Sequence, residues 1–219
     1  MADEFYQKVP YGPGEYAYFQ KNYARGIFPP LSGRFNNRYY KNGMGCPIRA
    51  EIWACIFPGA DAIRQRYVEM DGSLDHERDS IDAEIFLATL ESELFFSHDL
   101  RRAIETALDG VPEKTKLRGA VRDTLQWYDA GHDWKLTRGL ILRNYGHADC
   151  TNLYQNIGFV LLALLYGGED FRETIRLGLA CGYDTDCICA TAASVLGIIR
   201  GAKRLLGEDG MSDSGLAIG

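Results

Sequence analysis

The stretch Cys181-Gly-Tyr-Asp-Thr-Asp-Cys187, with the helix-forming residues on either side of it, sets the architecture of the chain. Gly182 ends one amphipathic segment, and a second segment rich in alanine and glycine begins directly after the turn. Small side chains let neighbouring helices approach closely. The stretch therefore predicts a turn between two helices near the centre of a helical protein.

The residues on both sides of this turn repeat the apolar spacing of three and four that is typical of helices. Helices are predicted over residues 48–56, 60–69, 81–95, 99–108, 115–130, 134–144, 152–166, 171–180 and 188–206. Residues 27–28 and 140–142 resemble strands, but both are too short. The predicted fold class is all-α, a compact multi-helix bundle.

Composition indicates one domain over residues 1–219, with a helical core over 48–206 and a tail over 207–219. Hydrophobic residues make up 46% and charged residues 25% of the chain, which suits a globular protein. The longest apolar run, 157–166, is about half the length of a bilayer span. The N-terminus has no apolar run of signal-peptide length, so we predict a cytoplasmic protein that does not bind membranes.

The net charge of -6 disfavours general binding to nucleic acid, which depends on neutralising phosphates. Residues 16–50, however, contain six Lys or Arg, eight aromatics and no acid. Turn-forming pairs such as Pro29-Pro30 indicate that residues 1–47 form a long basic, aromatic loop region. One interpretation is that this region binds a phosphate-rich ligand whose base stacks on the aromatic rings. The alternatives are that it packs on the acidic domain or that it binds single-stranded nucleic acid.

Asp184 and Asp186 are the strongest candidates for chemistry, because they lie two residues apart on the turn. Two carboxylates at this spacing can share a hard cation such as Mg²⁺. The alternative is that Asp184, Thr185 or Asp186 caps the following helix. Cys187 is a weak candidate for a thiolate nucleophile, because the two adjacent carboxylates disfavour its ionisation.

Two histidines lie in polar segments that could border a site. His76 would orient a substrate hydroxyl or relay a proton, unless its segment is a solvated loop in which Asp79 or Ser80 caps the next helix. His147 is either a turn residue or a wall of the site. The chain has no nucleophile elbow, P-loop, dinucleotide fingerprint or H-E-x-x-H motif.

The turn at 182–187 and its alanine-rich helix resemble the C-terminal metal motif of the ADP-ribosylglycohydrolases. Three further stretches resemble the family in the same order, namely Asn42-Gly-Met-Gly-Cys-Pro-Ile-Arg49, Gly72-Ser-Leu-Asp-His76 with residues 80–83, and the segment 161–171. Together the matches extend from about residue 22 to residue 206.

The resemblance implies an all-helical fold, a centre of two Mg²⁺ ions and hydrolysis of the bond between ADP-ribose and a protein side chain or small acceptor. The implied metal ligands are Asp184, Asp186 and Cys187, although a thiol is a poor ligand for a hard cation. Asp184, Asp186 and His76 would be catalytic. The implied substrate-binding residues are Asn42, Gly43, Met44, Gly45, Arg49, Ser80 and His147.

The chain departs from the family pattern in one respect, because it contains no Thr-Asp-Asp triplet, which supplies the other metal ligands in an N-terminal helix of family members. We therefore expect an N-terminally truncated bundle with half of the family's ligands. Two functions follow: a hydrolase, or a catalytically silent ADP-ribose-binding or structural module. The expected partners are ADP-ribose or an ADP-ribosylated substrate, and a missing N-terminal segment or a second copy.

Overall fold

The computed structural model describes residues 1–9, 12 and 14–207, and this part of the chain contains helices and no strand, which confirms the all-α prediction. The helices are α1 Ala2–Lys8, α2 Glu15–Tyr23, α3 Leu31–Arg34, α4 Ala50–Ile56, α5 Asp61–Gly72, α6 Arg78–Leu94, α7 Leu100–Asp109, α8 Lys116–Asp129, α9 Trp134–Tyr145, α10 Leu153–Gly167, α11 Phe171–Cys181, α12 Thr185–Arg200 and α13 Ala202–Gly207. A 3-10 turn, Pro47–Arg49, leads into α4.

Helix α10 is the centre of the fold, because it is apolar on every face and almost completely buried. Helices α6, α8, α9, α11 and α12 pack around it. Asn152 caps its first turn by accepting a hydrogen bond from the amide of Tyr154, and Gly168 ends it in the left-handed conformation. No helix among the described residues is long and apolar enough to cross a membrane.

The predicted loop over residues 1–47 is wrong in part, because α1, α2 and α3 lie within it. Helix α2 forms around Phe19, which is fully buried. The Phe19 ring lies 5.5 Å from the ring of Phe5 and 5.3 Å from that of Tyr23. Aromatic packing between α1 and α2 thus favours a helix where the local sequence, with its turn-forming residues nearby, indicates a loop.

Each of the nine predicted helices has a counterpart, but the last one differs in its limits. Helix α12 begins earlier, at Thr185, and ends at Arg200. Gly201 has a φ of 72°, which interrupts the helix before α13. The two short segments that resemble strands lie in a turn and inside α9. Most of the predicted tail, 208–219, lies outside the described residues.

Candidate functional site

The turn between α11 and α12 has an unusual backbone conformation. Gly182 has a φ of 70° and Tyr183 a φ of 65°. A tyrosine in this region costs about 1–2 kcal/mol, so the surrounding contacts must hold the turn in place. The result is that Asp184 lies directly before α12, at its N-cap position, with only 8% of its surface exposed.

Arg138 of α9 supports the turn from the side. Its Nε atom donates a hydrogen bond of 2.9 Å to the carbonyl oxygen of Cys181. Its guanidinium carbon lies 5.9 Å from the centre of the Phe159 ring, which in turn lies 5.8 Å from the ring of Tyr183. The strained turn is therefore held by one hydrogen bond and by the contacts of Arg138 with Phe159 and of Phe159 with Tyr183.

The Asp184 side chain does not cap α12. Three other aspartates at the starts of helices, Asp99, Asp133 and Asp170, each accept a hydrogen bond from an amide in the first turn. Asp184 occupies the same position without such a bond. The carboxylate of Asp184 therefore makes no hydrogen bond to the first turn of α12.

The carboxyl groups of Asp184 and Asp186 lie close together, and with the thiol of Cys187 they place one potential ligand atom each within 4.8 Å of the others. Burial and the hydrogen bond to Asp186 raise the pKa of Asp184 to about 6. The same hydrogen bond and two backbone amides lower the pKa of Asp186. Burial and both carboxylates raise the pKa of Cys187 well above its usual range, which argues against a thiolate nucleophile.

This acidic group opens on a cleft of about 380 Å³ between the start of α12 and α4. The residues that line the cleft are Ile48, Glu51, Asp186, Cys187, Ala190 and Ser194. The other lining side chains are small or apolar, so Asp186 and Glu51 supply the charge of the cleft.

The loop at residues 42–45 lies against the segment that precedes α10. Gly43 pairs with Asn152 in an isolated antiparallel bridge, and the amide of Met44 donates a hydrogen bond of 2.9 Å to the carbonyl of Thr151. Met44 is fully buried, whereas Asn42 is half-buried. Of these sequence-predicted substrate residues, Gly43 and Met44 are therefore buried, whereas Asn42 and Gly45 are partly exposed.

His76 and Ser80 lie behind this loop, both almost fully buried. The Ser80 hydroxyl donates a hydrogen bond of 3.1 Å to the carbonyl of Gly43. Nδ1 of His76 lies 2.6 Å from a carboxylate oxygen of Asp75, and the opposite edge of the ring faces Gly43 and Gly45. Both side chains thus support the loop from the interior.

Arg49 points into the protein. It donates hydrogen bonds of 3.1 and 2.9 Å to the two carboxylate oxygens of Asp75, and its Nε lies 3.1 Å from a carboxylate oxygen of Asp71. Although burial opposes it, the charges of Arg49 and His76 lower the pKa of Asp75 to about 2. The guanidinium is therefore committed to two carboxylates beneath the loop.

The segment 147–152 forms the other rim. His147 is exposed, and its Nδ1 accepts a hydrogen bond of 3.0 Å from the amide of Asp149. The carboxylate of Asp149 accepts from the amide and hydroxyl of Thr151, and its charge contributes to the raised pKa of Asp184. This rim and the acidic turn are consequently parts of one site.

Asn156 joins the two parts, although sequence reasoning did not identify it. Its Nδ2 donates to the carbonyls of Cys150 and Asn152 at 2.7 and 2.9 Å, and its Oδ1 accepts from the amide of Asp184 at 3.4 Å. The signal was present in the sequence, because Gln155 and Asn156 are two amides at the start of a predominantly apolar helix. A buried side-chain amide needs hydrogen-bond partners, and the partners of Asn156 belong to the two parts of the site.

Glu15 of α2 is a second residue that sequence reasoning missed. A Cβ at Gly45 would lie 2.1 Å from its Oε1, so only glycine admits the carboxylate at this distance. Its charge is also one of those that raise the pKa of Cys187. Helix α2 therefore brings an additional acid to the edge of the site.

The model of the ADP-ribosylglycohydrolase family matches residues 6–208 of this chain. The chain thus belongs to the ADP-ribosylglycohydrolase family, whose name describes hydrolysis of ADP-ribose linkages. The match includes the loop at 42–45, the rim at 147–152 and the turn at 184–187. No curated protein and no solved structure matches the chain.

Proposed function

We propose that this protein is a magnesium-dependent hydrolase of the glycosidic bond between ADP-ribose and a protein side chain or small acceptor. The observation that carries the proposal is the Asp184 carboxylate, which is buried at the start of α12, does not cap the helix and lies against Asp186. Membership of the family supports the class of reaction.

The residues fit a hard cation in part. Asp184 and Asp186 offer carboxylate oxygens, the ligand type that Mg²⁺ prefers, whereas the thiol of Cys187 suits it poorly. Burial, together with the hydrogen bond and the charge of Asp186, raises the pKa of Asp184, and a bound cation would oppose this rise. Bound Mg²⁺ would activate a water for attack on the anomeric carbon and would stabilise charge on the oxygens around that carbon.

The remaining residues would position the substrate. The loop at residues 42–45 would lie beside the ribose and diphosphate, and Ser80 and His76 hold it from behind. Tyr39 is 58% exposed, and the charge of Asp149 raises its pKa, so we place its ring near this rim. An exposed ring there suits stacking with the base.

The alternative is a catalytically silent ADP-ribose-binding or structural module. It is favoured by one observation: the chain has no Thr-Asp-Asp triplet, and the potential metal group among the described residues has two carboxylates and a thiol. A centre with so few oxygen ligands would hold a cation weakly.

Release of ADP-ribose distinguishes the two functions. The chain is incubated with proteins ADP-ribosylated on arginine or on serine and with an acetyl ester of ADP-ribose, in Mg²⁺ or in chelator. The hydrolase proposal expects release from at least one substrate in Mg²⁺ and none from the Asp184→Ala/Asp186→Ala variant. Binding of ADP-ribose without release from any substrate would establish the silent module instead.

Arg138 is expected to position the acidic turn. Arg138→Met removes the bond to the Cys181 carbonyl and the stack on Phe159, and we expect the affinity for Mn²⁺, a spectroscopic substitute for Mg²⁺, to fall about tenfold. Arg143→Met, on an exposed position of the same helix, is the matched control. Equal Mn²⁺ affinities of the two variants would show that Arg138 has no such role.

A further inference from the structure

Glu91 of α6 is an anomaly away from the acidic turn. Its side chain is fully buried, and neither of its carboxylate oxygens has a hydrogen-bond donor. Buried carboxylates are normally paired or hydrogen-bonded, because removing an unpaired charge from water is costly. A buried carboxylate without a hydrogen-bond donor indicates that a ligand could occupy the position of the donor.

The surroundings of Glu91 are acidic. After burial, the charge of Glu51 contributes most to raising its pKa, while the nearby hydroxyl of Ser194 opposes the change. Glu51 itself accepts a hydrogen bond of 3.1 Å from the hydroxyl of Thr191. None of the ion pairs among the described residues includes either glutamate.

Glu84, two turns earlier on α6, is a buried glutamate that does have a hydrogen-bond donor, and it serves for comparison with Glu91. It is also fully buried and its Oε1 has no donor either, but its Oε2 accepts a hydrogen bond of 2.8 Å from the thiol of Cys46. The positive charge of Arg49 opposes the rise in its pKa. At Glu91, burial and the charge of Glu51 raise the pKa, and no positive charge is among the groups that oppose this rise.

We infer that Glu51 and Glu91, with the hydroxyls of Thr191 and Ser194, form a binding site for a hard divalent cation between α4, α6 and α12. The four groups offer only oxygen atoms, and two carboxylates balance the charge of one divalent ion. Glu51 and Ser194 line the open cleft, which gives the cation a route from solvent.

This cation site opens on the same cleft as Asp186 and Cys187, but its groups differ from those of the acidic turn. Thr191 and Ser194 lie four and seven residues beyond Cys187 on α12, which places them about 6 and 10 Å further along the helix axis. The cation site therefore does not depend on the proposed function, and a variant that lacks both Asp184 and Asp186 retains all four of its groups.

The test is Mn²⁺ binding, followed by electron paramagnetic resonance, in the Asp184→Ala/Asp186→Ala variant. We expect this variant to keep about one Mn²⁺ site per chain, which Ca²⁺ or Mg²⁺ displaces. Adding Glu91→Gln should weaken that binding about tenfold or more, because the shape is kept and one ligand charge is lost. Glu84→Gln is the matched control and should leave the binding unchanged.

Glu51→Gln is the second variant, on a half-buried residue, and keeps the test decisive if Glu91→Gln does not fold. It should weaken Mn²⁺ binding to a similar extent. Absence of any Mn²⁺ site in the Asp184→Ala/Asp186→Ala variant would overturn the inference. So would Mn²⁺ binding that is unchanged by replacement of Glu51 and of Glu91.

Discussion

Arg49→Met should lower the free energy of unfolding by about 3–5 kcal/mol, the largest effect on stability that we expect from one substitution. The guanidinium bonds to both carboxylate oxygens of Asp75, which is 1% exposed, and lies beside Asp71. Methionine fills a similar volume but leaves two buried or half-buried carboxylates without their cation. Urea denaturation near neutral pH, followed by circular dichroism, measures the loss.

The loss of stability caused by Arg49→Met should become smaller as the pH falls. The pKa of Asp75 is lowered to about 2 from an ordinary value of 3.8, so the ionised carboxylate stabilises the folded state above pH 3.8. This contribution is lost as the pH falls through 2. The difference between the parent and Arg49→Met should therefore shrink in acid. A difference that stays constant from neutral pH to about pH 2.5 would contradict this explanation.

Asn156→Leu is expected to have the second largest effect, a loss of about 3 kcal/mol, because three backbone groups lose a buried partner at once. These are the carbonyls of Cys150 and Asn152 and the amide of Asp184. Leucine has a similar volume, so little of the loss would come from a cavity. Denaturation measures the stability, and hydrogen exchange at the amide of Asp184 measures the local opening.

Gln155→Leu is the matched control for this prediction. Gln155 is also fully buried on α10, but its amide nitrogen makes one bond, of 2.8 Å, to the carbonyl of Asp149. We expect a smaller loss of stability and slower exchange at Asp184 than in Asn156→Leu. Equal exchange rates at Asp184 in the two variants would show that Asn156 does not hold the turn.

Much of the fold can be predicted from the sequence because its helices carry local signals. Helix α10 is apolar on every face, and its start at Asn152 and its end at Gly168 use residues that suit these positions. The start of α9 at Asp133 is likewise a capping residue. Helix α2 could not be predicted in this way, because the burial of Phe19 depends on the ring of Phe5, which comes from another helix.

In the candidate site, too, local features can be predicted from the sequence, whereas contacts between distant residues cannot. The turn with Asp184 and Asp186 is visible in the sequence, since two carboxylates exceed what one helix cap requires. The inward direction of Arg49 could not be predicted, because it depends on Asp75, 26 residues away. The support that Arg138 gives to the turn depends in the same way on Cys181, 43 residues away. Such contacts arise only once the bundle has formed.

Binding of ADP-ribose measured by isothermal titration calorimetry, with and without Mg²⁺, tests most directly whether the acidic turn is a metal-dependent ADP-ribose site. The parent chain should bind ADP-ribose in Mg²⁺ and lose this binding in chelator. The Asp184→Ala/Asp186→Ala variant should not bind under either condition. Binding that is the same with and without Mg²⁺, or that survives in the double variant, would contradict the account.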